Sequence, residues 1–224
     1  LSFLVPSQIN MLFQYLKVNN IVDPPYSKTI LSMGAAFPEQ LKVNARRYLK
    51  SDIIESWGNT EGLGTITNQS DLEHRPSSIG KPFLTDELFI VDDNFQRVKS
   101  NTIGRLAGRV DSKFSEYNNR KELNEQLIKD DLIISEDLGM EDENGYFFLY
   151  GRVSDVINTA NGKVYPIVIE KIISSFDEIE EVAVIGIPEN SFEIAVCIIK
   201  PKSISVDLEN LRHRINTKLS ENEK

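Results

Sequence analysis

"DIIESWGNTEGLG", residues 52–64, sets a short apolar run directly before a tryptophan, a threonine and a glutamate. Turns usually carry small polar residues, so an aromatic ring and a carboxylate at the mouth of one turn ask for a reason. Asp52–Glu55 and the serine after it read as a strand. Upstream, "KTILSMG" (28–34) is a second short apolar strand ending at Gly34. Between the two, "EQLKVNARRYLK" (39–50) has helical spacing, with Pro38 suited to its first turn. Strand, loop, helix, strand suits a parallel sheet and predicts an α/β fold. In open parallel sheets ligands bind beyond the carboxyl ends of the strands, and Trp57, Thr60 and Glu61 follow such an end.

On the N-terminal side, "SQINMLFQYLK" (7–17) predicts a helix capped by Ser7, with Ile9, Leu12, Phe13 and Leu16 on one buried face. From about residue 78 the texture changes. "ELFIVDD" (87–93), "GRLAGRV" (104–110), "DLIISED" (131–137) and "YFFLYGRV" (146–153) predict strands, interrupted by one helix over "NRKELNEQLIK" (119–129). Their short spacing points to a small barrel or a bent sheet. After Arg152, "DVINT", "NGK", "PIVIEKIISSF", "VAVIGIP" and "EIAVCIIK" predict a compact α+β unit that ends in a helix beginning near Asp207. The expected domains are residues 1–153 and 154–224.

The chain has 224 residues, a net charge of −9, 40% hydrophobic and 26% charged residues, which is ordinary globular composition. The acidic balance argues against nucleic acid as the main partner, because phosphate neutralisation needs clustered Lys and Arg. No apolar run approaches the length of a membrane span. The single cysteine, Cys197, cannot form an internal disulfide, which points to a reducing, cytoplasmic home. Its apolar neighbours predict a buried small hydrophobe rather than a nucleophile. His74 and His213 lie far apart and near no cysteine, which argues against zinc. No leader is expected in "LSFLVPSQIN", which begins in mid-pattern, and "LSENEK" stops inside a helical pattern, so the chain is expected to be a piece of something longer.

The common nucleotide and hydrolase signatures are absent. "SIGKP" lacks the glycine five positions before Gly80-Lys81, and "GLG" (62–64) lacks the third glycine of a dinucleotide fingerprint. There is no nucleophile elbow and no H-E-x-x-H. Polar residues at strand ends remain. Glu61 could hold Mg²⁺, which prefers oxygen ligands and substrate phosphates. The Thr60 hydroxyl could donate to a phosphate, and Trp57 offers a flat face to a base. A turn with a capping threonine and a solvated glutamate accounts for the same residues. Asp137, closing "LIISED", could accept two hydrogen bonds from a ribose, or be an exposed turn acid. Arg152 could fork onto phosphate and ribose oxygens, or make a surface ion pair.

Taken in order, "SMGAAFPEQL" (32–41), "WGNTEG" (57–62), "SSIGKP" (77–82), "LFIVDD" (88–93), "ISEDLG" (134–139), "NGYFFLYGRVSDVI" (144–157) and "NGKVYPIVIEKI" (161–172) cover nearly the whole chain. This series resembles the adenylate-forming superfamily: acyl- and aryl-CoA synthetases, peptide synthetase adenylation domains and beetle luciferases. The resemblance implies the C-terminal half of the large AMP-binding domain, a parallel-sheet part plus a small barrel-like part, followed by a mobile α+β lid. It implies that Gly34, Ala35 and Ala36 line the adenine and acyl pocket. Trp57, with Gly58 and Asn59, would stand against adenine. Thr60 would touch phosphate and Glu61 would hold Mg²⁺. Asp137 would bind the ribose hydroxyls, Arg152 ribose and phosphate, and Ser154–Asp155 would form the hinge.

The implied chemistry is ATP-dependent activation of a small carboxylic acid. The acyl group would pass from an acyl-adenylate to coenzyme A or to the phosphopantetheine of an acyl- or peptidyl-carrier protein. "SMGAAFPEQL" and "NGKVYP" lean towards acyl-CoA synthetases rather than peptide synthetase modules. The family's phosphate loop and adenylating lysine would lie outside this chain, which alone should be a poor catalyst. Several positions depart from the family pattern: Arg105 for Glu, Asp131-Leu132 for Gly-Trp, Ser135-Glu136 for Thr-Gly, Asn158 for Lys and Val168 for Glu. Those departures leave a degenerate, non-catalytic binding module as the alternative from another class. At Asn161, where the family has glycine, a left-handed backbone is expected.

Overall fold

Three short strands, Ser2–Phe3 (β1), Thr29–Ser32 (β2) and Asp52–Gly58 (β3), lie side by side in parallel in the computed structural model of the chain. The structure describes residues 1–22, 28–35, 37–83, 87–110, 114–129, 131–203 and 206–219. Helices Pro6–Val18 (α1) and Glu39–Leu49 (α2) precede β2 and β3, giving the expected crossovers. Their apolar residues fall four or seven apart, so Ile9 and Leu16 of α1 join Ala45 and Leu49 of α2 in one core with Ile30 and Ile53. Ser7 is not the cap of α1. Pro6 occupies the first helical position, Val5 is the cap residue, and the Gln8 side chain accepts the Val5 N–H at 3.1 Å. Pro38 likewise stands at the cap of α2 rather than in its first turn, since its backbone is extended (φ −58°, ψ 135°).

Beyond β3 the sheet turns antiparallel. Gly64–Ile66 (β4) pairs with β3, and Lys81–Pro82 (β5) pairs with β4, giving the order β1-β2-β3-β4-β5. A short helix, Asp71–His74 (α3), lies between β4 and β5. The second sheet is antiparallel in its recorded pairings. Glu87–Val91 (β6), Gly104–Arg109 (β7), Leu132–Glu141 (β9) and Phe147–Arg152 (β10) run in the order β10-β9-β7-β6, and Ile128–Lys129 (β8), which follows helix Lys121–Leu127 (α4), pairs with β9.

A buried charge ties these parts together. Lys42 of α2 and Glu55 of β3 form an ion pair with side chains 5% and 8% exposed. The same ammonium donates to the carbonyls of Pro76 (2.8 Å) and Ser78 (3.4 Å). The segment it holds then stitches the two sheets. Ile79 N–H donates to Phe147 O (2.9 Å), Phe147 N–H to Gly80 O (2.9 Å), and the Thr65 hydroxyl to Ile79 O (2.7 Å).

The chain divides between Leu149 and Tyr150 into two units. In the second, hairpin Ile157–Thr159 (β11) and Gly162–Val164 (β12) precedes helix Pro166–Ser174 (α5). Hairpin Ile179–Glu189 (β13) and Phe192–Pro201 (β14) follows, and then helix Leu208–Asn216 (α6). Ile169, Ile173, Leu211 and Ile215 repeat at i, i+4 and pack with Ile157, Val164 and Val184. Asp207 caps α6 by accepting the Asn210 N–H at 3.1 Å. The left-handed residue of the first hairpin is Gly162 (φ 130°), not Asn161, because glycine there needs no Cβ accommodation.

Cys197 is not buried. It pairs with Val184 across the β13–β14 hairpin, yet it lies exposed on the wall of an apolar cavity of about 550 Å³ that α5 and α6 leave partly open. Nearby burial, and then the Glu170 carboxylate, push its thiol up, which disfavours the thiolate a nucleophile requires.

Two stability contrasts follow from the junction and the buried pair, both read by urea unfolding. Trp57, the sole tryptophan, reports the first unit. Gly80 has φ 91° and a Cβ there would sit 2.0 Å from Ile66 O, whereas Gly145 has φ 76° and open space. Gly80→Ala should cost more than about 3 kcal/mol, and Gly145→Ala about 1–2 kcal/mol; equal losses would refute the clash at the junction. Lys42→Met should cost about 3–5 kcal/mol, and adding Glu55→Leu should recover most of it. A double variant no better than the single one would show that the pair is not the source.

Candidate functional site

Strand β3 does not end at the serine. It continues through Trp57 and Gly58 because β4 turns back and pairs with it, Trp57 opposite Thr65 and Gly58 opposite Gly64. Asn59 closes the turn: its side chain accepts the Leu63 N–H (2.9 Å), and its own N–H donates to Leu63 O (3.0 Å). Gly62 supplies the left-handed backbone at φ 106°. Gly58 fits closely, since a Cβ would come within 3.2 Å of Leu63 O. Thr60 and Glu61 therefore stand at the tip of a tight hairpin.

Both oxygens of Glu61 are engaged. The Thr60 hydroxyl donates to Oε2 at 3.2 Å, and the Tyr117 hydroxyl donates to Oε1. Tyr117 was not singled out from the sequence. Its one signal there was an aromatic ring inside the polar run "SEYNNR". Asn124 of α4 braces it, accepting the Tyr117 N–H (2.7 Å) and donating to its carbonyl (2.9 Å), and Phe114 packs edge-on with ring centroids 5.0 Å apart. Burial raises the Tyr117 pKa above its ordinary value, and the hydrogen bond and charge of Glu61 and the charge of Glu136 add to this. The phenol thus stays a donor.

Asp137 does not close its strand. Strand β9 runs on to Glu141, and Asp137 sits beside a bulge, because β7 advances from Arg105 to Ala107 while β9 runs from Leu138 back to Ile134. Bulges re-aim side chains. This one carries Asp137 to β3, where Trp57 Nε1–H donates to Asp137 Oδ2 at 3.0 Å across 80 residues of sequence. The bulge is held by its own members: the Ser135 hydroxyl accepts the Asp137 N–H (3.0 Å), and Arg105 Nε–H donates to the Ser135 carbonyl (3.0 Å). Burial lowers the Arg105 pKa, while Glu136 and then Asp93 oppose the shift.

Gly34 (φ 85°) and Ala35 are exposed just past the carboxyl end of β2, the parallel neighbour of β3, so both segments leave the sheet at one edge. Ala36 lies outside the described residues. Arg152 is the exposed last residue of β10 in the second unit, followed by a single 3₁₀ turn, Val153–Asp155, in which the Ser154 hydroxyl donates to Asp155 at 2.9 Å.

The first unit thus brings together Trp57, Asp137, Thr60, Glu61 and Tyr117. An aromatic ring bonded to a carboxylate can serve a base and a diol. A glutamate flanked by two hydroxyls offers hard oxygen. Among the described residues no three His, Cys, Asp or Glu side chains form a preassembled metal cage. A single carboxylate suits Mg²⁺ that is shared with substrate phosphates. No helix among the described residues is long and apolar enough to cross a membrane.

The chain is 29% identical over 199 residues to a long-chain-fatty-acid–CoA ligase of Salmonella typhimurium, covering 87% of the chain and 35% of the relative. It is 26% identical over 220 residues to the long-chain-fatty-acid–CoA ligase FadD13 of Mycobacterium tuberculosis, covering 96% of the chain and 43% of the relative. The chain thus spans well under half the length of these curated relatives. Its fold matches the amide bond synthetase McbA of Marinactinospora thermotolerans (TM-score 0.87, 20% identity, 99% of this chain and 46% of that one). It also matches the o-succinylbenzoate coenzyme A synthetase MenE of Bacillus subtilis in complex with AMP (TM-score 0.83, 20% identity, 99% and 45%). The family model for AMP-binding enzymes matches residues 1–117, just over half of the sequence, and the chain belongs to that family.

Proposed function

We propose that this chain is the nucleotide-facing portion of an AMP-forming acid–thiol ligase of the acyl-CoA synthetase kind. The observation that carries the reading is the Trp57–Asp137 hydrogen bond beside the Glu61 hairpin, which joins a base wall, a diol acceptor and a metal-binding oxygen in one place. The CoA-ligase relatives support a carboxylate as substrate and coenzyme A as acceptor. The structural neighbour bound to AMP supports the nucleotide.

In the reaction, a carboxylate oxygen attacks the α-phosphorus of ATP and pyrophosphate leaves, giving an acyl-adenylate. A thiol then attacks the acyl carbon, the acyl–oxygen bond breaks, and AMP departs with the thiol proton passed to solvent or base. Asp137 would fix the ribose and Trp57 the base, so that the α-phosphate is presented in one orientation. Glu61 would hold Mg²⁺, which when bound offsets negative charge on the phosphates, and Thr60 would touch a phosphate. Arg152 would contact ribose and phosphate. The turn Val153–Asp155 would be the hinge at which the second unit moves as a lid between the two steps. Residues 1–153 would then act as the nucleotide platform and 154–224 as the lid, with the phosphate loop and the adenylating lysine supplied from outside this chain.

The test is carboxylate-dependent ATP–pyrophosphate exchange. This chain alone should show none, and exchange by it would overturn the division of the site. In the whole protein, Glu61→Gln should lower exchange about 10²–10³-fold while AMP affinity changes less than about threefold. Wild-type exchange in that variant would remove Glu61 from the metal role.

A further inference from the structure

Asp137 is held from two directions. The Trp57 indole N–H binds its Oδ2 at 3.0 Å, and the Ser135 hydroxyl accepts its backbone N–H at 3.0 Å. Free aspartate on a strand can turn about χ1 and χ2, and a ligand that needs both its oxygens must first stop that motion. Here the rotation is already restricted. The indole is in turn fixed: its backbone is locked opposite Thr65 in the hairpin, and its side chain, partly buried, packs against the core cluster that includes Leu63, Ile79 and Phe147. One Oδ2 lone pair is taken by the indole. An ionised carboxylate has about four acceptor sites, so this bond by itself leaves the group able to serve further donors.

We propose that Trp57 is a positioning residue for Asp137, its indole N–H presetting the carboxylate to accept a vicinal diol, so that the ring enforces discrimination for the sugar as well as offering a face to the base. The proposal rests on the nucleotide reading above. It separates two functions of one side chain, since phenylalanine keeps a flat apolar face and loses the N–H. A purely structural or purely stacking tryptophan would affect ligands with and without the hydroxyls alike. A positioning tryptophan changes their ratio.

The experiment compares the affinity of the full chain for AMP and for 2′,3′-dideoxy-AMP by calorimetric titration. Wild type should prefer AMP by about 10–100-fold, the worth of hydrogen bonds to a charged group. Asp137→Asn should lose most of that preference. Trp57→Phe should cut the preference at least about fivefold, with dideoxy-AMP affinity shifting less. Should the phenylalanine variant fold poorly, biosynthetic replacement of this sole tryptophan by benzothienylalanine removes the N–H and keeps the bicyclic shape; it should cut the preference equally. Wild-type preference retained in either folded variant, with Asp137→Asn losing it, overturns the proposal alone. No AMP binding by wild type, or no loss of preference in Asp137→Asn, overturns the ribose reading and this proposal with it.

Discussion

The Lys42 ammonium is the constraint on which the first unit turns. An ion of that size is costly to remove from water unless its donors are satisfied. It is compensated from three separate pieces of chain: the Glu55 carboxylate of β3 and the carbonyls of Pro76 and Ser78. The observed arrangement of α2, β3 and the 76–78 segment meets that demand. Once Ser78 is placed, its hydroxyl donates to Phe147 O at 3.0 Å and accepts the Gly80 N–H at 2.9 Å, so the second sheet is fixed to the first. The approach is close enough that Gly80 has no room for a Cβ. The meeting of Trp57 with Asp137 is downstream of this junction: β3 carries one, β9 the other, and a displaced junction would separate them.

The parts of the fold that rest on local pattern were legible in the sequence. The helical spacing of α1, α2 and α5 and the apolar strands β2, β6, β7, β13 and β14 all follow from periodicity and turn residues, whereas β12 falls where the sequence reads as a turn. The parts that were not legible depend on partners distant in the chain. Nothing local in "DIIES" says that the strand runs on to Gly58, because its extension is the pairing with β4. Asp137 reads as a strand end because Gly139 follows two residues later. Yet Gly139 lies inside β9 opposite Gly104, a site where a Cβ would meet Leu106 and the Phe148 carbonyl. Cys197 has apolar neighbours in sequence, but exposure is decided by what covers the hairpin. Ser7 is an adequate cap by type and loses to the proline before it, which can occupy only the first turn.

The candidate site shows the same division. Trp57, Glu61 and Asp137 were visible as residue types at the ends of apolar runs. Their mutual contacts were not, and Tyr117 was not visible at all. Its hydroxyl reaches Glu61 from a segment 56 residues away, through a brace on α4 that no short motif encodes.

Three of the departures from the family pattern, Arg105, Ser135 and Glu136, lie together, and that bears on the choice between an active and a degenerate member. Arg105 and Ser135 build the bulge beside Asp137: the guanidinium holds the Ser135 carbonyl and the serine hydroxyl holds the Asp137 N–H. Arg105 also faces Glu136, whose charge offsets the burial of the guanidinium. The positive charge at 105 is thus answered by the negative charge at 136. The charges of Glu61 and Glu136 both act on Tyr117, so an anionic phosphate chain entering there meets repulsion. On the proposed reading that repulsion selects for a nucleotide arriving with its divalent cation, since Mg²⁺ turns Glu61 from an obstacle into a ligand.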